Sequence, residues 1–322
     1  ARGVGAGRRA VAESADAYRT CFERDRDRVL HAAAFRRLAG KTQVFVFPAD
    51  HQRTRLTHAL EVAQVATGIA RAGRLNVALA EAIALGHDCG HGPGGHASEE
   101  ALSPYLDEGF DHAVWGADVT LAPLNLCAET LDGIRNHSWS RPAPSTPEGE
   151  VVSWADRIAY VCHDFEDACH VGIVDPEALP ESVRSRCGER RSRQLDSFIA
   201  GVVQTTLETG AIGMADPLAE ALGAFRRFNY DHSYMRPESG QQSSSGIRVL
   251  RARGEHSADQ PDQLPDREPG QSDESARVVD AGTDRAVRRS VTDVAGMTDR
   301  FAFERARTVL GWATTELPLG IS

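Results

Sequence analysis

Residues 55–72 read RLTHALEVAQVATGIARA, and residues 77–86 read VALAEAIALG. In the first stretch Leu56, Leu60, Ala63, Ala66 and Ala70 recur at steps of three and four, and His58, Val62, Val65 and Ile69 widen the same apolar side. That period predicts an amphipathic α-helix. The second stretch predicts another helix, ending where the chain runs into the glycine-rich GHDCGHGPGGH. Working outward, the pattern is helical from Asp16 to about Ala39 and over Ala113–Leu121, Cys127–Asn136, Val151–His170, Gln194–Thr209 and Pro217–Asn229. Val287–Trp312 is helical again, with a break near Gly296. Val44–Phe47 is a short β-prone run that stops at Pro48. Residues 237–282 are rich in Ser, Gln, Asp, Pro and Gly, which predicts a mobile polar excursion with at most a short helix over Gly246–His256. The fold class expected is therefore all-α. One domain over 1–322 is expected, with a core at about 22–236, the polar insertion at 237–282 and C-terminal helices at about 285–315.

The chain has 322 residues, 41% hydrophobic and 25% charged, enough for a sizeable core. All of its 36 basic residues are Arg except Lys41, and 46 acidic residues leave a net charge of −10. That balance argues against extensive nonspecific nucleic-acid binding, which needs a broad basic face. A polyanionic ligand would have to be met by a local cluster. Arg36, Arg37, Lys41, Arg53 and Arg55 form such a stretch, with Asp50 the only acid among them. The six cysteines have no C-x-x-C spacing, and no apolar run reaches the roughly 18 residues of a membrane span. Reduced thiols, a cytoplasmic location and no membrane partner are the expectation.

Four histidines, His87, His91, His96 and His112, crowd into one part of the chain. His87 and Asp88 sit where a helix meets glycines, so an imidazole and a carboxylate there can share one divalent cation. The plainer alternative is a helix C-terminus, where His complements the dipole. His58 points into an apolar face and needs a partner, a hydrogen bond or a metal. Asp156, Tyr160 and Asp164 recur every four residues along one face of a helix that is otherwise apolar. A solvated surface is the alternative for that face.

The series His58, His87-Asp88 and Asp156 resembles the H…HD…D pattern of HD-domain phosphohydrolases. The segments FRRLAGKTQVF (35–45), RTRLTHALEVAQVA (53–66), AIALGHDCGHGPGGHASEE (82–100), VVSWADRIAYVCHDFEDA (151–168) and AGMTDRFAF (295–303) narrow this. Together they resemble the bacterial deoxyguanosine triphosphate triphosphohydrolase-like proteins, over roughly residues 22–236 and 285–312.

The resemblance implies an HD-domain helical fold. It also implies hydrolysis of a deoxynucleoside triphosphate at the α-phosphorus, giving the deoxynucleoside and inorganic triphosphate. It assigns one divalent ion (Mn, Mg, Fe, Ni or Zn) to His58, His87, Asp88 and Asp156. His96 and Glu99 match the acid/base pair, with Glu100 an alternative partner for His96. Arg55, His91 and His112 match phosphate-contacting or active-site positions. Gln43 and Asp164 match contacts to the sugar 3′-hydroxyl, and Tyr160 the ring beneath the deoxyribose. A homo-oligomer and a nucleotide effector are implied too. Two alternatives stand beside this reading: another HD-domain phosphohydrolase, such as a dNMP nucleotidase, and a regulatory nucleotide- or nucleic-acid-binding protein with an idle HD site. Gly92-Pro93-Gly94-Gly95-His96 departs from the Thr-Pro-Phe-Gly-His of the pattern, and without a bulky residue at Gly94 a looser loop around His96 is expected.

Overall fold

A computed structural model describes residues 7–43, 53–234, 237–264 and 281–318. Among the described residues, seven α-helices fill the first part of the chain: α1 (Cys21–His31), α2 (Ala33–Arg37), α3 (Arg55–Ala72), α4 (Val77–Gly86), α5 (His96–Leu102), α6 (His112–Trp115) and α7 (Ala128–Arg135). Seven more follow: α8 (Pro147–His170), α9 (Glu181–Cys187), α10 (Arg191–Thr209), α11 (Asp216–Asn229), α12 (Pro237–Asp259), α13 (Asp284–Gly296) and α14 (Asp299–Leu310). Among the described residues there is no strand, only one isolated antiparallel bridge between Thr42 and Thr54. The fold is all-α. No helix among them is long and apolar enough to cross a membrane, and none of the six cysteines, all of them described, is in a disulfide.

The chain divides into two compact units. The first comprises Ala1–Leu30, Thr57–His87 and Leu126–Gly240. Its core is built on α4 and α8. Asn76 caps α4 through a side-chain bond from Leu79 N–H at 3.1 Å, and its own N–H donates to the buried Glu148 Oε1 at 2.8 Å. Thr146 caps α8 by accepting from Gly149 N–H, with Pro147 at the first helical position. A Cβ on Gly133 would lie 2.4 Å from Ile83 Cδ1, so glycine lets α7 close onto α4. Leu79, Ile83, Val152, Ile158, Phe198 and Phe225 are fully buried there.

The second unit comprises His31–Leu56, Asp88–Asn125 and Gln241–Ser322. Leu102, Phe110, Trp115, Ile247, Leu250, Val291 and Val294 share one apolar cluster. Val249 belongs to another, with Phe303, Ala306 and Leu317. This corrects one expectation. Residues 237–259, assigned by composition to a mobile excursion, form a continuous helix because its apolar residues are buried on two sides. Tertiary packing has overridden the low helix propensity of a Ser- and Gly-rich run. Residues 265–280 and the β-prone 44–47 lie outside the described residues. The expected single helix over 113–121 is instead α6 followed by a wider π-turn at Gly116–Thr120, and α5 and α9 lie where no helix was expected.

Candidate active site

In the first unit, α3 supplies His58, the residue after α4 supplies His87, and α8 supplies Asp156. His58 Nε2 lies 3.0 Å from Asp156 Oδ1, and His87 Nε2 lies 3.7 Å from the same oxygen. One ligand atom from each of the three falls within 4.8 Å of the others. His87 Nδ1 donates to the Ala84 carbonyl at 2.6 Å, which fixes the tautomer and turns the basic Nε2 toward Asp156. Two ligands at right angles on one ion, each bonded at about 2.1 Å, sit roughly 3 Å apart. Two imidazoles and a carboxylate at this spacing therefore suit a divalent cation. Burial of Asp156 opposes its ionisation, but the hydrogen bond from His58 and the charges of His87, His58 and His137 lower its carboxyl to about 2.

His137 was not anticipated. Its ring packs edge-on against His87 with centroids 4.9 Å apart, and its Nδ1 donates to Ile134 O at 2.7 Å. It stands two residues past α7, and no quoted motif includes it.

Asp88 follows His87 directly and is buried. Its Oδ2 accepts from Arg55 Nη1 at 2.8 Å, while Oδ1 lies 3.4 Å from His91 Nε2. The glycines of this turn are required by close approach. A Cβ on Gly90 would lie 2.0 Å from His112 O, and one on Gly95 (φ +62°) would lie 2.6 Å from Arg55 Nη2. His91 and His112 stack with centroids 3.6 Å apart. Burial, then the charges of Arg55 and His112, push the His91 imidazole well below its ordinary value, so it is neutral at physiological pH.

Glu99, not Glu100, holds His96. Its Oε2 accepts from His96 Nδ1 at 2.8 Å, and its Oε1 accepts from His112 Nδ1 at 2.6 Å and from His112 N–H at 3.1 Å. Burial opposes its ionisation, but hydrogen bonds from His112 and His96 outweigh it and hold the carboxyl well below the usual carboxylate range. The His96 side chain is 77% exposed, with its Nε2 edge left open to solvent.

The basic stretch does not present five cations to a ligand. Lys41 is buried, with Nζ donating to Ala295 O at 2.9 Å and to His91 O. Arg36 donates to His31 O, and Arg55 is engaged by Asp88. The loop around His96 is not slack either, since Gly94 N–H donates to Asp299 Oδ1 at 2.8 Å.

On α8, Tyr160 OH accepts from Arg226 Nε at 3.0 Å, and Tyr234 OH donates to Asp164 Oδ2. Arg157 lies over the Trp139 ring, with 3.5 Å from Cζ to the centroid. Among the described residues no carboxylate pairs with Arg157 or Arg226. Both escaped the sequence reading; Arg157 stands beside Asp156, but nothing local marks Arg226. Gln43 ends a described stretch, with Oε1 buried and no hydrogen-bond partner among the described residues.

Comparison with known proteins agrees with this chemistry. The HD domain profile matches residues 55–161, and that of the phosphohydrolase-associated domain matches residues 212–308. A deoxyguanosinetriphosphate triphosphohydrolase-like protein of Caldanaerobacter subterraneus subsp. tengcongensis is 40% identical over 299 residues, covering 90% of this chain and 85% of that one. One from Clostridium perfringens (strain 13 / Type A) is 37% identical over 306 residues, covering 90% and 86%. A hypothetical protein from Aquifex aeolicus, known from a crystal structure, shares the fold with a TM-score of 0.54 at 16% identity, covering 91% of this chain and 69% of that one. The chain belongs to the deoxyguanosinetriphosphate triphosphohydrolase-like family of HD-domain phosphohydrolases.

Proposed function

We propose that the protein hydrolyses deoxynucleoside triphosphates at the α-phosphorus, releasing the deoxynucleoside and inorganic triphosphate. His58, His87 and Asp156, with Asp88 next to His87 in the chain, are the residues that would hold one divalent ion. The observation that carries the reading is the convergence of two imidazole nitrogens and a carboxylate oxygen within 4.8 Å, in a chain of phosphohydrolase ancestry. When bound, a divalent ion supplies positive charge to polarise a phosphoryl oxygen.

The remaining chemistry falls to side chains. Arg55 is the phosphate clamp through the N–H groups that its Nη1 bond to Asp88 leaves, a guanidinium having five donors. Arg157 and Arg226, neither in an ion pair with a carboxylate among the described residues, are further candidates for oxygens of the chain of phosphates. His96 is the acid/base group. Glu99 accepts from its Nδ1–H and so orients the ring, leaving Nε2 to carry a proton to the departing 5′-oxygen. Neutral His91 offers a hydrogen bond without adding charge. Tyr160 lies beneath the deoxyribose, and Gln43 and Asp164 address its 3′-hydroxyl.

Incubation with dGTP, dATP, dCTP and dTTP in turn, with Mn²⁺, tests this. Inorganic triphosphate and a deoxynucleoside are expected. Pyrophosphate or orthophosphate as the product, or activity confined to dNMPs, would overturn it.

A further inference from the structure

The segment AGMTDRFAF supported the family resemblance, yet none of its residues enters the chemistry above. Asp299, the first residue of α14, is buried. Its Oδ2 accepts from Thr42 N–H at 2.8 Å and from the Thr42 hydroxyl, and its Oδ1 accepts from Gly94 N–H at 2.8 Å. Lys41, also buried, donates from Nζ to the carbonyls of His91 and Ala295. The loop from His91 to His96 is thus gripped at two backbone atoms, His91 O and Gly94 N, by buried groups of opposite charge.

Gly94 has φ +72° and no side chain, so packing offers little hold on it. A hydrogen bond to its backbone N–H holds it instead. Burying a carboxylate and an ammonium is costly unless each is well bonded, and an apolar plug would fill the same space more cheaply. What the charged pair supplies and an apolar plug would not is directional contact with specific backbone atoms. We infer that Lys41 and Asp299 are positioning residues, which set the 91–96 loop and through it the imidazoles of His91 and His96. The rate effect of this inference rests on the proposed phosphohydrolase reading, whereas the hold on the loop does not.

The test compares the full-length wild type with Asp299→Asn, Thr42→Val and Thr42→Ser. Three quantities are measured: amide hydrogen exchange in the 91–96 segment, Mn content, and kcat and KM for the dNTP that the wild type turns over with Mn²⁺. Asp299→Asn keeps the shape but turns an N–H₂ group toward one of its donors. Faster exchange at 91–96 is expected, with Mn content and KM unchanged and kcat lower by about 10- to 100-fold. Thr42→Val should lower kcat by about fivefold, and Thr42→Ser, which restores the hydroxyl, should recover it. Unchanged exchange in Asp299→Asn would overturn the inference. So would faster exchange with unchanged kcat, because the contact would then serve stability alone. If Asp299→Asn does not fold, the Thr42 pair decides by the same readouts. If the wild type hydrolyses no dNTP, the proposed function fails, and exchange alone decides whether Asp299 holds the loop.

Discussion

The trio His58, His87 and Asp156 and the set His91, His96, Glu99 and His112 are built from the same residue types, yet they differ in how their nitrogens are used. In the trio, the His87 Nδ1 is spent on a backbone carbonyl, and Nε2 atoms of both histidines turn toward one carboxylate oxygen. In the second set, the carboxylate takes the Nδ1 protons of two histidines at once. The first arrangement aims two ring nitrogens at one carboxylate oxygen, at the spacing a cation requires. The second holds imidazoles by one edge and leaves the other edge of His96 in solvent, as proton transfer requires. Identity of residues therefore says less than which ring nitrogen is already occupied.

This contrast can be broken most severely at the proposed cation ligands. His87→Ala or Asp88→Ala should abolish bound divalent metal and turnover together, checked by elemental analysis beside a product assay. Retained metal with lost activity would move these residues out of the cation-binding role. In the second set, His96→Ala should leave the metal in place and cost about 10²- to 10⁴-fold in kcat, the usual size of an acid/base contribution.

Glu99→Gln sharpens the comparison further. An amide accepts from only one of the two imidazoles, so a loss of about 10- to 100-fold in rate is expected, with metal content unchanged. The same variant has a signature in pH. The Glu99 carboxyl is depressed in the folded chain relative to its ordinary 4.5, so its contribution to stability is present above about pH 4.5 and is lost as the pH falls below that. The gap in Tm between wild type and Glu99→Gln should therefore narrow on acidification through that range. A gap independent of pH would show that ionisation of Glu99 is not linked to folding. The smallest effect is expected at the exposed Arg226. Arg226→Gln should raise KM for the dNTP about fivefold or less, because solvent screens a contact there.

The two regions also differ in how much of them was legible in the sequence. Helices α3 and α4 run between the residues expected, since periodic apolar residues and a glycine stop are local signals. His58 and His87 were conspicuous for a related reason: an imidazole on an apolar face calls for a partner. The choice between Glu99 and Glu100 was not legible, because adjacent residues differ only in direction, and the direction is set by His112 arriving from another helix. Arg226 and His137 come from segments with no local signature, and only the folded chain shows what they touch. Helix α12 was expected only over Gly246–His256, and its full length over Pro237–Asp259 was missed for a different reason. Its composition is that of a loop, and its helicity depends on Ile247, Val249 and Leu250 being buried by residues far away in sequence.

The burial of Lys41 has a practical consequence. It is the only lysine in the chain; the residue is 3% exposed, and burial lowers its amine to about 8. An acylating reagent thus meets no accessible lysine side chain while the loop is closed; once it opens, the amine returns toward its ordinary 10.5 and reacts through its unprotonated fraction. Acylation at this one position, read by mass, is a built-in clock for how often the Lys41 anchor lets go.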